Sequence, residues 1–313
     1  MSAPVSKVRF FPAVWGCCRG TEIFFELRRQ SWLRLLGHLL LLSLLCAFGI
    51  TLGERSRIRP QLERAQSAFA AEFGAVRLTD EAIVPTRNPE QSRSLPLPAN
   101  GLVLYAPDLT SGITLGEADA QLLNYLLVWS PRMLLTGVRS PGGDWQIWSK
   151  QTEPEGGNLL LSYDSSRFVL TGATALPEYL RSLRTPKGGW GVPVSEEFPA
   201  EALFGTVGML LYLSLFFGYT AMLMVTALLC TGVFTLVFRF ASMRQLRVLT
   251  IRELWKTGLY AGFPAMIIGS FFPALNLPLF SFSTVYMFGL VIYWILIISR
   301  IERSGQEEEK KHE

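Results

Sequence analysis

Two histidines in 313 residues, His38 and His312, set the first limit on the chemistry open to this chain. His38 lies at the edge of an apolar run and His312 in a charged tail. A Ser/His/Asp triad or a histidine-based zinc site in the polar middle of the sequence is therefore excluded. Arg34 precedes His38 by one helical turn and no carboxylate stands near, so His38 reads as an interfacial residue rather than a proton carrier. The cysteines are Cys17, Cys18, Cys46 and Cys230, none of them between Gly53 and Ala202, so no disulfide can form there. The adjacent Cys17-Cys18 pair does not readily close on itself and has no histidine neighbour. An inert or acylated membrane-proximal cysteine fits it better than a metal ligand. Cys46 and Cys230 sit in apolar runs as small hydrophobes.

The remaining catalytic candidates are equally sparse. Lys150 and Lys187 are the only lysines between 53 and 202, and neither has the Ser-x-x-Lys setting of a dyad. Asp108, Glu117, Asp119, Asp144 and Asp164 could in principle pair as acid and base, but acidic residues in turns mostly serve the turn. No GxSxG, HExxH, CxxC or GxxxxGK[ST] pattern occurs. The expectation is a protein that is not an enzyme, with no catalytic, cofactor-binding or metal residue to assign and no cofactor.

What must position any functional group is a set of apolar blocks. Half of the chain is hydrophobic and 17% is charged, against about 25% charged in ordinary soluble proteins. The excess is concentrated around 32–52, 204–237 and 258–299, which points to a multi-span membrane protein. Residues 32–52 would rise ~30 Å as a helix, the thickness of a bilayer core. The thirty-one residues before this run and the poor small-x-small match at Ala47-Phe48-Gly49 favour an uncleaved signal anchor. The block 204–237 reads as one long helix, because splitting it in two would place the basic stretch 238–257 outside. In the last block the uncharged turn Asn276-Leu277-Pro278 separates spans at 258–275 and 280–299, with Pro264 and Pro273 kinking or capping the first.

Charge sets the orientation. Residues 1–34 carry six basic side chains against Glu22 and Glu26, and 238–257 carries five against Glu253. The segment 53–202 has fourteen basic and seventeen acidic residues, a net of −3. The positive-inside rule then gives a cytoplasmic segment 1–31, a first span at 32–52 and an outer domain at 53–202. A second span at 203–237, a cytoplasmic helix or loop at 238–257, spans at 258–275 and 280–299, and a cytoplasmic tail at 300–313 complete the plan. The basic clusters abut the spans, so no nucleic-acid partner is expected. No Asp, Glu, Lys, Arg or His occurs in 204–237 or 258–299, which argues against an ion-coupled transporter.

The outer segment reads as a small α+β domain. Ile58, Leu62, Ala65, Phe69 and Phe73 recur at helical spacing. Strand-like runs appear at Val76–Leu78, Ala82–Val84, Leu102–Tyr105, Leu134–Val138, Trp145–Trp148, Leu159–Tyr163 and Arg167–Leu170. Pro85 to Asn100 reads as irregular, Glu117 to Trp129 as a short amphipathic helix and Pro177 to Leu183 as another. Gly188-Gly189-Trp190-Gly191 reads as a loop returning to the membrane.

Several stretches resemble a family of uncharacterised bacterial four-span membrane proteins of the maltodextrin-utilisation, MalA-like, type. These are Phe10-Phe11, the Trp32-Leu33-Arg34 lead-in, Phe73-Gly74-Ala75-Val76-Arg77-Leu78-Thr79, Gly101 to Asp108, and the closing spans with Pro273 and Pro278. The loop at 85–100 and the long second span depart from it. The resemblance implies an integral protein of the bacterial cytoplasmic membrane, tied to carbohydrate uptake or envelope regulation, and supplies no functional residues. The resulting expectation is an α-helical membrane protein with four transmembrane helices plus a small extracytoplasmic α+β domain. It would be a non-enzymatic accessory or sensory component with the lipid bilayer and a membrane protein as partners. The alternative is a permease-like component for a neutral solute, built on Pro264, Pro273 and Asn276.

Overall fold

A computed structural model describes residues 7–79, 81–98, 100–109, 115–151, 167–183, 196–241, 249–277 and 281–312. The expected strand Leu159–Tyr163, the loop 188–191, Asp164, Lys187 and part of the 238–257 segment lie outside the described residues. The chain divides into two compact units, one formed by 1–58 with 209–313 and the other by 59–208.

The first unit is helical. Ahead of the first apolar block the chain forms two helices that its composition did not announce, α1 (Phe10–Arg19) and α2 (Phe24–Leu27). The helix α3 (Trp32–Phe73) begins behind Ser31, whose Oγ accepts from the Arg34 N–H, a capping arrangement. It does not stop at the end of the apolar run. The expected span and the expected outer helix are one element of 42 residues that passes through Pro60. The later block also forms one long helix, here α6 (Ala200–Ala241), again of 42 residues.

Two more helices complete this unit: α7 (Ile251–Ala274) and α8 (Phe282–His312). Thr250 and Glu253 form a reciprocal capping box at the start of α7. Among the described residues three helices are long and apolar enough to cross a membrane: Trp32–Phe73, Ala200–Phe240 and Phe282–Ser304. The expected span 258–275 falls almost wholly in α7, which opens with Arg252, Glu253 and Lys256 and buries half of its residues.

Against α7, α8 runs antiparallel and close. A Cβ on Gly258 would overlap the Trp294 ring and one on Gly262 the Tyr286 hydroxyl. One on Gly269 would press on Phe282, and one on Gly289 would press on Ala265. At three levels a glycine of α7 receives a large ring from α8, and at a fourth Gly289 meets Ala265, small against small; small residues of this kind let apolar helices approach closely. Gly258 and Gly262 form a strict GxxxG spacing.

The second unit is built on a mixed six-stranded sheet. The strands in chain order are β1 (Val76–Leu78), β2 (Ile83–Pro85), β3 (Arg93–Leu97), β4 (Gly101–Tyr105), β5 (Tyr125–Ser130), β6 (Met133–Arg139), β7 (Trp145–Gln151), β8 (Arg167–Leu170) and β9 (Glu196–Phe198). Strands β3 to β8 form the large sheet in sequence order, and β2-β1-β9 form a small one. Among the described residues β4 and β5 are the one parallel pair, and the crossover between them contains α4 (Glu117–Leu122). Helix α5 (Ala175–Ser182) follows β8.

Two expectations fail here. The helix read over Glu117 to Trp129 ends at Leu122, and Tyr125–Ser130 is a central strand. Its residues fill both faces: Leu126 and Val128 join the core of α4 and α5, while Leu127 and Trp129 join a core with Phe69, Phe73 and Phe204. A doubly buried strand has no alternation to betray it. The loop read over 85–100 contains β3, an edge strand, where Pro96 costs no ladder bond that a central strand would need.

Candidate functional site

Helices α1, α3 and α7 meet at a polar and aromatic seam in the first unit. His38, on α3, is buried, and its Nδ1 lies 3.2 Å from the Tyr260 hydroxyl of α7. The Phe10 ring of α1 approaches His38 edge-on at 5.8 Å, and the Tyr260 ring does so at 6.0 Å. One level away, two cations converge on Gln30, itself buried. Arg34 donates from Nη1 to Gln30 Oε1 at 2.7 Å, and Lys256 donates from Nζ to the Gln30 carbonyl at 2.7 Å. Lys256 also stands over the Trp32 ring, which meets Trp255 edge-on. On the other side of α1, the Tyr293 hydroxyl of α8 donates to the carbonyls of Cys17 and Gly20, at 2.5 and 3.0 Å.

The seam holds basic and neutral groups together with no carboxylate in these contacts. Its chemistry is that of a clamp: polar pairs away from water are costly to break and fix the register of the helices that carry them. His38 is thus buried in a helix junction, where the sequence suggested an interfacial residue. The residues that complete the seam were missed because they come from distant parts of the chain. The one available signal was the four-residue spacing of Gln30, Arg34 and His38.

The other sequence candidates are dispersed. Cys17 is buried against the bundle and Cys18 is exposed; Cys46 and Cys230 are half-buried, and all four are free thiols. Burial raises the Cys17 thiol well above the ordinary range, with Cys18 beside it adding to the effect, and partial burial raises Cys18 as well. Asp144 Oδ1 accepts from the Gly172 N–H at 3.1 Å, where Gly172 has φ +80°, so this carboxylate holds a turn. Glu117 and Asp119 are exposed in the first turn of α4, and Asp108 is exposed on the loop after β4. Lys150 lies in β7 and His312 ends α8. Among the described residues no group of three or more His, Cys, Asp or Glu side chains is placed to hold a metal ion.

Asn276 has a structural use of its own. It adopts φ +55° after α7, and its Nδ2 donates to the Gly53 carbonyl and to Ser56 Oγ at 3.0 and 3.2 Å. This amide ties the end of α7 to α3. Comparison with known proteins returns no matching family model, curated protein or solved structure.

Proposed function

We propose that this chain is a multi-pass protein of a bacterial cytoplasmic membrane that works as a non-enzymatic accessory or sensory component. Its sheet unit would lie outside and its basic segments inside. The resemblance to the maltodextrin-utilisation family agrees with this reading and would imply a role in carbohydrate uptake or envelope regulation. Four crossings are favoured over three by the pairing of α7 with α8. Gly258 faces Trp294 and Gly269 faces Phe282, so if α8 crosses, α7 crosses beside it at the same depth. Its lower apolarity follows from facing protein rather than lipid.

The observation that carries the proposal is the continuity of α3 and α6. Each is a single helix of 42 residues belonging to both units. At 1.5 Å per residue each is ~63 Å long, about twice a bilayer core. A helix that leaves the membrane without a break and enters the packed core of a sheet domain can transmit a rotation or a shift along its axis. This suits a protein that reports the state of its outer unit to a partner. Pro60 breaks one backbone hydrogen bond of α3 two residues into the second unit and gives that helix a local point of bending.

The test is affinity purification of the full chain from its native cells after mild crosslinking, beside a variant with two glycines inserted before Pro60. A reproducible membrane-protein partner whose recovery or activity changes in the insertion variant supports the proposal. A chain recovered alone from both preparations overturns it.

A further inference from the structure

Helix α1 has an unusual distribution of side chains. Ala13 and Cys17 are fully buried against the bundle, yet the opposite face is apolar too. Phe11 is 74% exposed and Trp15 is 69% exposed, one turn apart, with Cys18 next along the same face. No charge occurs between Arg9 and Arg19, and exposed cations stand at both ends: Lys7 and Arg9 before the helix, Arg19 at its close. Glu22, the first acidic residue, is already paired with Arg300 at 3.2 Å.

We infer that α1 is an in-plane membrane helix: its Phe11–Trp15 face seats at the boundary between headgroups and acyl chains, and Lys7, Arg9 and Arg19 bind the phosphates of anionic phospholipid. This rests on the membrane-spanning reading above and adds a lipid-recognition surface to it. Three observations select lipid as the occupant. First, the exposed rings are aromatic and flanked by cations, the pattern of interfacial helices, in which aromatic rings anchor at headgroup level and basic residues reach phosphate. Second, the helices that hold α1 carry exposed apolar side chains that would face lipid in that reading. Tyr293 and His38, which hold α1, are flanked on their own helices by the exposed Ile292, Ile295, Leu36 and Leu40. Third, an open groove of about 530 Å³ beside Arg9, lined by Lys7, Val8 and Pro12 and by Glu22, Ile23 and Glu26 across it, offers room for a headgroup next to both cations.

The experiment uses the full chain in nanodiscs of phosphatidylcholine mixed with phosphatidylglycerol. A fluorophore is attached to Cys18 after Cys17→Ala, Cys46→Ala and Cys230→Ala, and nitroxide-bearing lipid of each class serves as quencher. The expected result is quenching by both lipids with a preference for the anionic one of about fivefold, the worth of one basic residue near an anionic surface. The combined variant Lys7→Gln, Arg9→Gln and Arg19→Gln, all at exposed positions, should bring the two lipids to parity. Quenching by aqueous iodide but by neither lipid overturns the inference, and equal quenching by both lipids in the unaltered chain removes its anionic half. A chain that never enters the discs removes the spanning reading and this inference together; one that enters them with Cys18 in water removes this inference alone.

Discussion

At Gly258 and Gly262 the missing side chain is what lets α8 reach α7. Gly262→Leu must displace Tyr286, and Gly258→Leu must displace both Trp294 and Thr231. Overpacking of this kind typically costs about 1–3 kcal/mol, so each variant in detergent should unfold at a lower temperature. Gly205→Leu, on α6 with open space around it, should not. Equal midpoints for all three would mean the close approach does not exist. The paired thiols differ in the same local way. A raised thiol pKa means less thiolate at a given pH, so iodoacetamide near neutral pH should modify Cys18 slowly and Cys17 only after denaturation. Equal labelling of both in the folded chain would contradict the burial of Cys17. In the sheet unit, burial, aided by the nearby Glu90 charge, pushes the Tyr105 phenol up to about 12, and its hydroxyl donates to the Pro89 carbonyl at 2.9 Å. The neutral phenol is the form the fold favours, so its contribution is complete below the unfolded value of about 10 and is lost as pH rises from there to about 12. Tyr105→Phe should unfold more easily at neutral pH, by about 1 kcal/mol for the lost hydrogen bond. It should also lose less stability over that alkaline window than the unaltered chain.

Elements were legible wherever pattern and environment agreed. Strands β4, β6, β7 and β8 sit where short apolar runs end in glycine, proline or aspartate, because their neighbours are ordinary turns. Strand β5 was hidden because Ala118, Leu122, Leu123 and Leu126 happen to keep helical spacing across a helix, a break and a strand. The end of α3 was hidden by composition: the sequence turns from apolar to polar near Gly53, but the backbone continues to Phe73, since the loss of apolar residues does not by itself end a helix. Helices α1 and α2 gave little signal because α1 is apolar on both faces and α2 is one turn long. The seam around His38 could not be read at all beyond its spacing on α3, since Tyr260 lies 222 positions away. The α7–α8 turn carries a prediction at this scale. Asn276→Ala removes the amide that bonds Gly53 and Ser56, at a cost of about 0.5–1.5 kcal/mol for each bond lost. The same change should leave any partner recovery intact. Unaltered thermal stability in detergent would show that the amide does not tie α7 to α3.

For the whole molecule the deciding quantity is where the basic residues fall along the chain. The flanks of α3 and α6 on one side, 1–34 and 238–257, carry eleven basic residues against three acidic, while 53–202 is net negative. Moving short basic segments across a bilayer is opposed during insertion, whereas a long polar domain is carried over whatever its charge. The helices α3 and α6 are each long enough to cross and then continue into the sheet unit, so one orientation satisfies charge and length together. A cysteine introduced at Val169, 59% exposed on the edge strand β8, should therefore react with an impermeant maleimide in intact spheroplasts, while an affinity tag after residue 313 should be shielded from external protease until the membrane is opened. The reverse pattern would invert the molecule and remove the outer sensing role. Both sites open from one side would be harder on the proposal still, since it would require an odd number of crossings and break the pairing of α7 with α8. Neutralising Arg239, Arg244 and Arg247 to glutamine tests the cause rather than the outcome: a mixed population of orientations should appear if these charges hold α6 in place, and none if the length of the outer unit alone decides.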